Sequence, residues 1–110
     1  MSSPTVRAIS PNDAAEWLAS DEPPQFIDVR TPGEYELAHV DGAQLLPMDQ
    51  LMTWVHTLDP DRPVLVLCHH GIRSMRVALY LASQGFTDAV NLAGGIERWS
   101  KEVDARVPRY

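Results

Sequence analysis

A chain of 110 residues with one cysteine has room for one compact domain with its own apolar core, and it cannot close an internal disulfide or build a thiolate metal cluster. A formal charge of −6 argues against nucleic acid as a partner, because phosphates call for a concentrated basic face. No apolar stretch approaches the roughly 20 residues of a membrane-spanning helix and no basic apolar leader opens the sequence, so a monomeric cytoplasmic protein that binds no membrane is expected.

Residues 6–9 predict a short first strand. Ser10 reads as an N-cap with Pro11 at the first helical position, Asp13 makes the first turn acidic, and Ala14, Ala15, Trp17 and Leu18 supply one apolar side. Residues 21–24 end that helix, and Phe26-Ile27-Asp28-Val29 predicts a buried strand. A turn at Thr31-Pro32-Gly33, a short helix over 34–37, and a short strand within 42–46 stopped by Pro47 follow. Leu51, Met52, Trp54, Val55 and Leu58 recur at helical spacing until the break at 59–63. Val64-Leu65-Val66-Leu67 is the strongest strand. A helix over 74–83, a strand over 89–92, a tight turn at Gly94-Gly95 and a last helix over 96–101 complete the order. Residues 104–110 either strap over the surface or fray. Short uninterrupted apolar strands alternating with helices predict a parallel α/β sheet covered on both faces. No linker or repeat divides it, so one domain over 1–110 with a core at about 5–102 is expected.

The strand 64–67 delivers Cys68 to His69-His70-Gly71-Ile72-Arg73-Ser74, which opens the next helix. Amide N–H groups at a helix start have no partner within the helix and point at whatever the thiol carries, which favours a thiolate nucleophile. Gly71 gives the loop freedom to curl where a side chain would obstruct it. The adjacent side chains of His69 and His70 are expected to diverge and have no well-spaced third ligand, so no metal site is assigned to them.

Four stretches in order resemble the rhodanese family of sulfurtransferases: Phe26-Ile27-Asp28-Val29-Arg30-Thr31-Pro32-Gly33-Glu34-Tyr35, Ala38-His39-Val40-Asp41-Gly42-Ala43, the loop 68–74, and Asn91-Leu92-Ala93-Gly94-Gly95-Ile96-Glu97-Arg98-Trp99. The resemblance implies a three-layer domain with a five-stranded parallel sheet and helices on both faces, and a cysteine that carries a persulfide. Four residues separate Cys68 from Arg73. That Cys-x4-Arg spacing is similar to the sulfur-transferring branch, whereas related phosphatases and arsenate reductases have one residue more.

Under that resemblance Cys68 takes the outer sulfur of thiosulfate or another persulfide donor and passes it to a thiol, a thiol-bearing protein or cyanide, with no cofactor. A phosphatase or arsenate reductase, and a non-catalytic sulfur carrier or adaptor, are the alternatives. The loop from His69 through His70, Gly71 and Ile72 to Ser74 is expected to cradle the bound anion. Arg73 is assigned to the sulfonate end of thiosulfate, with bracing of the loop as the alternative. Asp28 is assigned to structural support, Arg30 and Glu34 to a bracing pair, His39 to a satisfied structural histidine, and Gly94 and Gly95 to a close-passing turn.

Overall fold

The computed structural model describes residues 6–110. Five strands, β1 (Arg7–Ile9), β2 (Gln25–Asp28), β3 (Gln44–Leu45), β4 (Val64–Leu67) and β5 (Ala89–Leu92), pair in parallel in the order β1-β5-β4-β2-β3. The helices are α1 (Pro11–Leu18), α2 (Pro32–Leu37), α3 (Leu51–Trp54), α4 (Ile72–Ser83) and α5 (Gly95–Glu102). The fold is therefore the α/β sheet expected from the sequence.

β4 is central, and all four of its side chains are fully buried. Their two-residue period divides the core. Val64, Val66 and Cys68 face a cluster with Trp54 of α3 and Val77, Ala78 and Leu81 of α4, while Leu65 and Leu67 face Ala14, Ile96 and Trp99 of α1 and α5. Each such aliphatic side chain contributes about 1.5–3 kcal/mol relative to exposure, so β4 is the best-anchored platform in the molecule. The chain leaves β2 for β3 on one side and β4 for β5 on the other. Ligands of open α/β sheets bind where strand order diverges in this way, at the carboxyl edge.

Three elements differ from expectation. Thr31 is not part of a free turn but the N-cap of α2, in a capping box. Its hydroxyl accepts from the Glu34 N–H at 3.2 Å and Glu34 Oε1 accepts from the Thr31 N–H at 3.2 Å. The apolar stretch 51–58 is not one helix; α3 is a single turn between 3-10 turns at Met48–Gln50 and Val55–Thr57. Trp54 sets that break, since its indole N–H donates to the Pro47 carbonyl at 2.8 Å and its own carbonyl accepts from the Thr57 hydroxyl at 2.6 Å. Finally, α4 begins at Ile72, two residues earlier than expected, because Gly71 takes the N-cap position in a left-handed conformation (φ 100°).

Segment 104–110 straps across the α5 side. Val107 is buried, the Ser100 hydroxyl donates to the Val107 carbonyl at 2.6 Å, and Arg109 pairs with Glu97 at 2.6 Å. No helix among the described residues is long and apolar enough to cross a membrane.

Candidate active site

Cys68 stands one residue beyond β4 and is 1% exposed. Its Sγ accepts the Gly71 amide N–H at 3.0 Å, so the left-handed glycine turns the loop back onto the sulfur at the N-terminus of a 12-residue helix. On its other side lies the Ser74 hydroxyl at 3.2 Å. Asn91 of β5 fixes that hydroxyl's proton. Its Nδ2 donates to the Gly71 carbonyl at 3.1 Å, which leaves Oδ1 to accept from Ser74 at 2.5 Å. The Ser74 oxygen then presents a lone pair to Sγ. That suits a thiol, and a thiolate would turn the hydroxyl round.

A second glycine turn supports the loop from below. The Ile96 and Glu97 amides of α5 donate to the carbonyls of Cys68 and His69 at 2.9 and 3.1 Å. This approach is possible because Gly95 has no side chain; a Cβ there would collide with both carbonyl oxygens. Gly94 precedes it as the N-cap of α5, its backbone N–H packed beneath Gly71.

Arg73 and Glu34 form a two-pronged ion pair, Nη1 to Oε1 at 2.6 Å and Nη2 to Oε2 at 2.8 Å. The Arg73 hydrogen bonds hold the Glu34 carboxyl well below the usual carboxylate range, and Glu34 raises Arg73 above its own. Both terminal nitrogens of Arg73 are engaged by Glu34, which is the geometry of a brace on the loop. The expected Arg30–Glu34 pair is corrected. Arg30 is fully buried and pairs with Asp28, which is equally buried, through Nε to Oδ1 at 2.9 Å and Nη2 to Oδ2 at 2.7 Å. It reaches only the backbone carbonyl of Glu34, at 3.3 Å, and closes on the Ala38 carbonyl at 2.7 Å. Asp28 thereby supports the site without touching the sulfur.

His69 and His70 do not diverge. Beyond β4 the chain leaves strand geometry, and the rings stack with centroids 3.9 Å apart. The Tyr110 ring stacks on the other face of His69, also at 3.9 Å and 11° from parallel. Burial and the neighbouring His70 push the His69 imidazole down, toward the neutral form. Tyr110 also joins the polar network. Its hydroxyl accepts from Arg30 Nη1 at 2.8 Å and donates to Glu34 Oε2 at 2.7 Å, and burial pushes its pKa up to about 12. Ile72 is 67% exposed at the loop's outer edge. His39 is half exposed, stacks on Tyr35 and lies 3.7 Å from Asp41, in a 610 Å³ groove lined by no residue of the 68–74 loop.

Sequence reasoning missed two members of the site. Asn91 carried a signal, a lone amide in the strand Ala89-Val90-Asn91-Leu92, because a buried amide must find partners. Tyr110 carried none.

Comparison with known proteins agrees with this architecture. The profile of the rhodanese-like domain family matches residues 10–102. The rhodanese-like/PpiC domain-containing protein 12, chloroplastic, of Arabidopsis thaliana is 43% identical over 90 residues, which are 78% of this chain but only 30% of that protein. The chain thus spans less than a third of that relative. Thiosulfate sulfurtransferase GlpE of Vibrio cholerae is 34% identical over 89 residues, covering 81% of this chain and 84% of the relative. The crystal structure of a rhodanese-like domain protein from Staphylococcus aureus superposes with a TM-score of 0.82 at 28% identity, covering 96% of this chain and 99% of that one. The family match takes in both glycine turns, the capping box of α2 and the cysteine loop, and the chain belongs to the rhodanese-like domain family.

Proposed function

We propose that the protein is a sulfurtransferase that moves a sulfane sulfur through a persulfide on Cys68. The observation that carries this reading is the Gly71 N–H directed onto Sγ at 3.0 Å from the start of α4, a donor placed where negative charge sits on sulfur. The relative named thiosulfate sulfurtransferase GlpE, matched over most of its length, supports the same chemistry.

In the first step the Cys68 thiolate attacks the outer sulfur of thiosulfate. A new S–S bond forms, the bond from that sulfur to the sulfonate sulfur breaks, and sulfite leaves with the electron pair. In the second step an acceptor thiolate, or cyanide, attacks the terminal sulfur of the persulfide. The Cys68–sulfur bond breaks and the thiolate returns. Each step exchanges one bond to sulfur for another, so no electron acceptor is consumed and the kinetics are ping-pong. Sulfite and the Cys68 thiolate both leave as stable anions, so no general acid is required. The physiological acceptor is then a thiol or a protein carrying one. With one cysteine in the chain, a single added sulfur is the loaded state.

Incubation with thiosulfate and cyanide tests the reading. Thiocyanate is expected from the wild type and not from Cys68→Ser, and mass spectrometry of the loaded protein should place one sulfur on the Cys68 peptide. Phosphate release from an aryl phosphate without thiocyanate, or equal thiocyanate from the Cys68→Ser variant, would overturn it.

A further inference from the structure

Tyr110 reaches both ends of the cysteine loop, one directly and the other through Glu34. Its ring covers His69, the first residue after Cys68, and its hydroxyl donates to Glu34, which holds Arg73 at the loop's far end. The hydroxyl is itself aimed. Arg30, immobilised by Asp28 and the Ala38 carbonyl, donates to the Tyr110 oxygen, so the phenolic proton is directed to Glu34. The strap that carries Tyr110 does not depend on it for its own anchorage, which comes from buried Val107, the Ser100 hydrogen bond and the Arg109–Glu97 pair. The contacts of Tyr110 are therefore spent on the loop and its brace. Without its ring, His69 would keep only the exposed His70 as a stacking partner.

We propose that Tyr110 is a positioning residue for sulfur transfer: it clamps the 69–73 loop so that the Gly71 N–H stays on the sulfur. This rests on the reading of Cys68 as the sulfur-carrying nucleophile. Loop order and reaction rate are then coupled through one side chain outside the loop. The hydroxyl and the ring contribute separately, so Tyr110→Phe, which keeps the stack, should fall between the wild type and Tyr110→Leu, which keeps neither.

Two measurements test the proposal. In 15N-labelled protein, relaxation order parameters of the 69–73 amides should fall in Tyr110→Leu from about 0.85 toward 0.6, with α5 and the strands unchanged. Single-turnover loading at saturating thiosulfate should slow roughly tenfold, while the thiosulfate concentration giving half the maximal rate moves less than about twofold. Arg106→Ala, on the same strap but paired with Asp104 and 91% exposed, should change neither. Loop amides that keep their order, or a loading rate that stays at the wild-type value, would overturn the proposal. Should Tyr110→Leu fail to fold, Tyr110→Phe decides on the same two readings, with a smaller change in the same direction expected. A wild-type protein that forms no thiocyanate would defeat the sulfurtransferase reading. The amide measurement would then still decide whether Tyr110 clamps the loop.

Discussion

Glu34 and Arg73, 39 residues apart in the chain, meet through two hydrogen bonds of 2.6 and 2.8 Å and tie the first turn of α2 to the first turn of α4. The pair is built from local features on both sides. Glu34 is already held in place as the acidic member of the α2 capping box, and Arg73 lies in the first turn of α4. Little of the Glu34 side-chain entropy remains to be lost when they meet, which lifts the pair above a typical surface ion pair.

Arg73→Ala should therefore weaken the loop rather than one substrate's binding. We expect a loss of about 1 kcal/mol or somewhat more, which lowers Tm by roughly 4–8 °C. Transfer from thiosulfate and from an uncharged persulfide donor should fall alike. A loss confined to the Michaelis constant for thiosulfate, with Tm unchanged, would restore the sulfonate-binding assignment.

The Asp28–Arg30 pair is a different case, because both side chains are fully buried. Asp28→Asn leaves a guanidinium in the interior without its counter-charge, at a cost of about 3–5 kcal/mol. The urea midpoint should fall by roughly 2 M, a large share of the stability of a domain this size. A change below about 1 kcal/mol would show that Arg30 finds sufficient compensation in the Ala38 carbonyl and Tyr110.

How much of this was legible in the sequence depended on the range of the interaction. β4 and its cysteine could be read directly, since an apolar run, a thiol and a glycine before a helix are consecutive. The capping residue Thr31 and its Glu34 are three apart and were visible in principle, but Glu34's second partner was not, because periodicity carries no information across 39 residues. Arg30 was paired with the wrong carboxylate for a similar reason. Asp28 lies two residues before Arg30 and Glu34 four after it, and only the path of the chain out of β2 brings Asp28 under the guanidinium. The His69–His70 stack inverted the expectation of diverging neighbours, since that expectation assumes strand geometry and the residues lie in a bend. Tyr110 required the route of the strap, which is set by Val107 and Ser100 rather than by any motif.

Gly95 and Gly33 make a paired test of where a missing side chain matters. At Gly95 (φ 63°) an added methyl meets the Cys68 and His69 carbonyl oxygens that α5 is meant to hold. Gly95→Ala should cost more than about 2 kcal/mol and abolish most turnover, combining left-handed strain with backbone collision. At Gly33, in the first turn of α2, nothing lies within 4 Å. Gly33→Ala should be neutral or stabilising by about 0.4–1 kcal/mol with activity retained. Similar melting curves for the two variants would contradict the close approach of α5 to the loop.

His69 should make stability depend on mildly acid pH. Its folded value is depressed from the ordinary 6.5, by burial first and by His70 next, with Tyr110, Glu34 and Glu97 opposing. The unfolded state therefore takes up the proton first. The contribution is fully present above about pH 6.5 and is lost as pH falls through the lower folded value. Glu34, held far below its usual range, keeps its charge through that window, so the Arg73 brace does not account for the loss. Tm measured between pH 8 and 5 should fall more for the wild type than for His69→Phe, which keeps a ring between Tyr110 and His70. Parallel curves would remove His69 from the pH dependence.

Ser74 stands at the point where the two charge states of the sulfur differ. With the thiol, its proton goes to Asn91 Oδ1; with the thiolate, the same hydroxyl turns to donate to Sγ at 3.2 Å. A hydrogen bond to a charged group is worth about 1.5–3 kcal/mol, and the bond to Asn91 given up in turning offsets part of that. A net of about 1.4 kcal/mol corresponds to roughly tenfold in rate. In the proposed reaction the thiolate is the attacking group when sulfur is loaded and the leaving group when sulfur is handed on. Ser74→Ala should therefore slow both half-reactions by about the same factor, near tenfold. This separates Ser74 from a residue that contacts the donor, whose loss would slow loading alone. Stopped-flow measurement of persulfide formation and of its discharge to cyanide, each in a single turnover, distinguishes the two. Loading and discharge both within about twofold of the wild type would mean that the Gly71 N–H alone stabilises the sulfur charge.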